Sequence, residues 1–200
     1  VSLTDYADAL EAELRAFDSD AVIVGHSMGG LLAQLVAARG LGRGLILLAP
    51  APMAGSNTTA PSVTRIFLPT LARWGFWREP HKAAWKQVRW GVFNGVPQDE
   101  AKEWYAKFVW ESGRALAELA FWWADPNKAS RVAVDRVPGP VKVIVGDCDR
   151  ITPPTFARNA ARRYGDRATL EMVPGAGHWL IGAPWWRDVA ARMDLFLSGD

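Results

Sequence analysis

The stretch AVIVGHSMGGLLAQLVAARG, residues 21–40, constrains this chain more than any other. Its opening run is short, apolar throughout and β-branched, the pattern of a strand covered on both faces in a parallel sheet. MGGLLAQLVAARG reads as a helix that stops at Gly40. Only a tight turn fits between them, and it carries one serine between glycines, Gly25-His26-Ser27-Met28-Gly29. Side chains at the flanking positions of so tight a turn would collide, which predicts glycine on both sides and a strained backbone at Ser27. The N–H of Met28, at the helix N-terminus, then points to where an oxyanion would form.

The rest of the chain repeats the alternation. SLTDYADALEAELRAF places Leu3, Tyr6, Leu10, Leu14 and Phe17 on one helical stripe, with Ser2 and Asp5 fitting a capping box. GLILLAPAP and VKVIVGD read as further buried strands, and ATLEMVPGAG offers a fourth. PPTFARNAARRYG and PWWRDVAARMDLFLSG read as helices. The predicted fold is α/β, a parallel sheet of about four strands with helices on its faces. A core of residues 1–52 and 138–200 is interrupted by an insertion, 53–137, with helix-like segments at 82–93, 98–110 and 112–124. Its expected place is a helical cap over the C-terminal strand ends, where open α/β sheets bind ligands.

A serine hydroxyl needs a base to take its proton and an acid to orient that base, and in sites of this type both follow the serine in the chain. Of three histidines, His26 lies inside the elbow with its side chain expected to turn away from Ser27. His81, beside Lys82, reads as a solvated surface residue. His178, in the glycine-rich loop VPGAGHWL after the last strand, is the candidate base. VKVIVGDCDRITPP offers two acids. Asp149 lies past the strand end and is favoured to face His178, whereas Asp147 is expected to cap or brace the turn.

These motifs resemble the α/β-hydrolase superfamily, and within it the capped esterases and lipases. The matching residues are GHSMGG (Gly25–Gly30), G-x-x-D-R-I-x-P (Gly146–Pro153) and G-x-G-H-W (Gly175–Trp179). The resemblance covers nearly the whole chain and implies a Ser27–His178–Asp149 triad acting on apolar carboxylic esters through an acyl-enzyme. It implies no cofactor and no metal. Serine in place of a nucleophilic aspartate disfavours epoxide hydrolysis and dehalogenation. In that superfamily several strands precede the helix leading to the elbow, and a loop there carries the other oxyanion donor. Here only 26 residues precede Ser27. A truncated product, a natural short form and a rearranged cap all fit that absence, and the alternative function is a catalytically weak domain that binds or associates. The strand 21–25 would then present an unguarded edge, from which association into a homodimer is expected.

Composition narrows the partners. Lys and Arg total 23 against 21 Asp and Glu, with no basic run, so nucleic acid is not expected. Apolar runs such as LILLA are too short to cross a bilayer. One cysteine, Cys148, precludes an internal disulfide. No signal peptide opens the chain, although Val1 in place of Met leaves room for upstream processing. Together these features predict a soluble, cytoplasmic protein. Eight of the 11 Trp fall within residues 74–123. They serve either as cap core or as an apolar pocket, with core packing favoured for most and Trp179, beside His178, the one expected near the pocket.

Overall fold

The computed structural model describes residues 1–18, 20–56 and 60–199. Six strands occur in chain order: β1 (Val22–His26), β2 (Gly44–Leu48), the two-residue β3 (Pro80–His81) and β4 (Glu111–Ser112), β5 (Val141–Gly146) and β6 (Ala168–Val173). β1, β2, β5 and β6 form one parallel sheet in the order β1-β2-β5-β6, as the alternation predicts. Register runs Val24 to Ile46, and Ile46 to Lys142. Every residue of β2 and β5 is buried. That is why their sequences, GLILL and VKVIVG, show no polar alternation.

β1 departs from the expectation that both of its faces are covered. It pairs with β2 alone, and Val24 is 47% exposed. Val22 and Ile23 nonetheless pack against the main core. An edge strand with one partly open face can carry the same residues.

The helices are α1 (Leu3–Phe17), α2 (Met28–Ala37), α3 (Pro61–Leu71), α4 (Trp85–Gly91), α5 (Gln98–Ala106), α6 (Gly113–Ala120), α7 (Pro154–Tyr164) and α8 (Trp186–Ser198). α1 starts with the predicted capping box. Ser2 Oγ accepts from Asp5 N at 3.0 Å, and Asp5 Oδ2 accepts from Ser2 N at 2.7 Å. Its buried stripe is shorter than the periodicity suggests. Leu3 and Ala7 are buried, while Leu10 and Phe17 face solvent. α2 and α7 are tied by a buried bond from Tyr164 Oη to Gln34 Oε1, 3.0 Å. α8 is held by Arg192, which pairs with Glu171 of β6 at 2.6 Å; Glu171 also takes Lys142 of β5.

Within residues 53–137 the helices are shorter than expected, and α3 was not foreseen. Its sequence opens on Pro61 and contains Pro69, a residue that ordinarily argues against a helix interior. The insertion packs in two places. α6 joins the main core through Ala115 and receives Leu3 N on Glu118 Oε2 at 2.7 Å. α4 and α5 build a second cluster of Val88, Phe93, Val96 and Ala101, closed by Trp179 from the loop after β6. That second cluster ties the insertion to the histidine loop.

Candidate functional site

Ser27 joins β1 to α2 with φ 56° and ψ −124°, a conformation costly for any residue with a Cβ. Three backbone hydrogen bonds hold it there. Ser27 N donates to Leu48 O at 3.0 Å, and Ser27 O accepts from Gly30 N at 2.9 Å and Ala51 N at 2.8 Å. The glycine requirement differs from the expected one. A Cβ at Gly25 would lie 2.4 Å from Gly29 O, and one at Gly30 would lie 2.9 Å from Pro50 Cβ. A Cβ at Gly29 would meet nothing within 4 Å. The close approaches therefore fall at Gly25 and Gly30, because the turn folds the helix start back over Gly25.

The three predicted side chains come together in one chain of hydrogen bonds. His178 Nε2 lies 2.9 Å from Ser27 Oγ, and His178 Nδ1 lies 2.8 Å from Asp149 Oδ2. Asp149 has two further anchors for Oδ1, the N–H groups of Ile151 at 2.8 Å and Thr152 at 2.9 Å. With a carboxylate on Nδ1, that nitrogen carries the proton, which leaves Nε2 as the acceptor for the Ser27 hydroxyl. His178 and Asp149 are buried and Ser27 is half-buried, so the serine is the member that meets solvent. Met28 N–H opens α2 with no hydrogen-bond acceptor among the described residues.

Several neighbours escaped the sequence reading. Thr152 is buried, with Oγ1 2.9 Å from both Asp149 Oδ2 and Ala49 O and 3.2 Å from His178 Nδ1. It links the acid loop to the end of β2. Asn94, after α4, donates from Nδ2 to Cys148 O at 2.9 Å. Its backbone lies so close to the histidine loop that a Cβ at Gly177 would come within 2.4 Å of Asn94 O. Asp147 braces the same loop by accepting from Gly175 N at 2.8 Å. An RITP sequence gives a hint of the Thr152 turn; nothing local marks Asn94.

The other two histidines are held by backbone carbonyls. His26 Nε2–H donates to His178 O at 2.8 Å, and the two rings lie 4.8 Å apart. Burial, reinforced by the His178 ring, pushes the His26 imidazole down to about 4, so it is neutral near pH 7. His81 is not a solvated surface residue, since its Nε2–H donates to Phe76 O at 2.6 Å. Trp179 is 8% exposed and packs against His26, Phe93, Trp104 and Phe108. That is a packed environment, and Trp179 is not among the residues that wall the cleft between Trp85, Trp90 and Arg150.

A parallel sheet that carries a serine on a strained strand-to-helix turn defines the α/β-hydrolase class of fold. The chain belongs to the alpha/beta hydrolase family, whose model matches residues 1–192. No curated protein matches the sequence. Among solved structures, it is similar to a monoacylglycerol lipase of Paleococcus ferrophilus at 19% identity and TM-score 0.68, covering 98% of this chain and 75% of that one. Carboxylesterases of Nitrososphaera gargenis are represented at 16% identity and TM-score 0.68, covering 99% and 72%. A meta-cleavage product hydrolase of Pseudomonas fluorescens IP01 follows at 16% and TM-score 0.64, covering 100% and 73%. At these identities the likeness concerns the fold. Among the described residues no helix is long and apolar enough to cross a membrane.

Proposed function

We propose that this hydrolase-family chain is a serine esterase of the carboxylesterase or lipase kind, acting on apolar carboxylic esters. The observation that carries the reading is the unbroken Ser27–His178–Asp149 hydrogen-bond chain, with spacings of 2.9 and 2.8 Å. Ser27 Oγ attacks the ester carbonyl as its proton passes to His178 Nε2, and Asp149 stabilises the imidazolium. The carbonyl electron pair moves onto oxygen, where Met28 N–H donates to it. Collapse expels the alkoxide, which takes the proton from His178. Water then adds to the acyl carbon, gives its proton to His178, and releases the acid as Ser27 recovers that proton.

In this reading residues 53–137 act as a cap over the site, supported by the packing of Phe93 and Phe108 on Trp179. The single Cys148, exposed and unpaired, fits a cytoplasmic setting. The lone pairing of β1 supports a second proposal, that two copies associate through this edge.

Labelling by a fluorophosphonate probe tests the chemistry. The wild-type protein is expected to label, Ser27→Ala not at all, and His178→Ala more slowly by a factor of roughly a hundred or more. A folded wild-type sample that resists the probe favours the non-catalytic alternative. A p-nitrophenyl ester series of rising chain length then measures the acyl pocket.

A further inference from the structure

A cleft of about 500 Å³ opens beside the acid loop, walled by Trp85, Lys86, Arg89 and Trp90 of α4 and by Arg150. No carboxylate belongs to its wall. Trp90 organises the cations: the Arg65 guanidinium carbon lies 4.1 Å from its ring centre and that of Arg150 lies 4.7 Å from it. Arg150 also donates to Trp90 O at 3.1 Å, and Arg89 donates to Phe93 O. Among the described residues none of Arg65, Lys86, Arg89 and Arg150 has an ion-pair partner within 4 Å.

Collecting three cations on one wall, with Arg65 stacked beside them on Trp90, without a counter-charge costs free energy through mutual repulsion. Indole stacking and carbonyl acceptors orient the guanidinium groups without neutralising them. An anion entering the cleft would relieve the repulsion, and a flat apolar body would lie on the Trp85 indole. We propose that this cleft binds an organic anion, a carboxylate or phosphate on an aromatic body, at a site separate from Ser27. The anionic group meets Lys86, Arg89 and Arg150, and the ring meets Trp85. A volume of about 500 Å³ accommodates a two-ring ligand with solvent to spare.

Calorimetric titration of the whole protein with 2-naphthoate, 2-naphthyl phosphate and neutral 2-naphthylmethanol tests this. Both anions are expected to bind roughly tenfold or more tightly than the alcohol, with affinity falling as salt rises. The preferred anion identifies the group, and either preference supports the site. Lys86→Gln, whose side chain makes no hydrogen bond within the described protein, is expected to weaken binding several-fold while unfolding at the wild-type temperature. Ser27→Ala and the exposed Arg187→Gln, whose side chain does not line the cleft, are expected to leave it unchanged. Equal binding of the alcohol, no saturable binding of either anion, or an equal loss in Arg187→Gln would overturn the proposal. Loss of binding in Ser27→Ala, or displacement from a Ser27 adduct, would place the ligand at the serine and overturn the separate site.

Discussion

Ser27 holds its left-handed backbone because neighbours on three sides of the turn leave it no other geometry. The glycine at 25 is the one that admits the returning helix. Gly25→Ala drives a methyl to within 2.4 Å of Gly29 O and is expected to cost roughly 1–3 kcal/mol or more in urea unfolding. Gly29→Ala, in a helical position with open space, is expected to be neutral or stabilising by up to about 1 kcal/mol. Similar losses in the two variants would contradict this reading of the elbow. His26 sets a pH dependence. Its folded value of about 4 lies below the ordinary 6.5, so between these values the unfolded chain binds more protons. The His26 contribution is therefore present above about pH 6.5 and is lost as pH falls toward 4. Thermal unfolding of wild type against His26→Asn from pH 4 to 7.5 should show the difference between the two curves narrowing on acidification.

At the scale of elements, the site is assembled by loops that meet above the strand ends. The acid loop after β5 and the histidine loop after β6 are locked together, since Cys148 N donates to Ala176 O at 2.9 Å. Asn94 adds the insertion to that lock. Asn94→Ala leaves Cys148 O without this donor and is expected to cost about 1–3 kcal/mol. It should also slow fluorophosphonate labelling, because the two loops that carry Asp149 and His178 lose a common anchor. Unaltered labelling kinetics with lowered stability would limit Asn94 to packing. α3 shows why the insertion was only partly legible. Pro61 sits at the first helical turn, where its missing N–H has no cost, and Pro69 falls in the last turn, before the helix ends at Leu71. The aromatic clustering of the insertion was legible in composition, yet its division between two packing groups depends on contacts with α1 and with Trp179.

For the molecule as a whole, the proposed association rests on the side of β1 that has no partner strand among the described residues. Val22, Ile23 and Val24 bring no charge and no proline to that side. Sedimentation over a rising concentration range is expected to show a monomer–dimer equilibrium, and Val24→Lys is expected to shift it toward monomer. A single monomeric species in both proteins would count against edge association. The sequence alone carried the parallel sheet, the elbow, and the order Ser27, Asp149, His178. Each follows from a signal contained within a few residues: an apolar run, a glycine turn, or a charged loop at a strand end. Tertiary structure decided what those signals cannot hold. Thr152 at Asp149, His26 behind His178, Asn94 across the two loops, and the open face of β1 are contacts between segments far apart in the chain. Their geometry exists only once the sheet has set the order of its strands. The turn at Ser27 was therefore readable from the sequence, while the contacts that orient His178 were not.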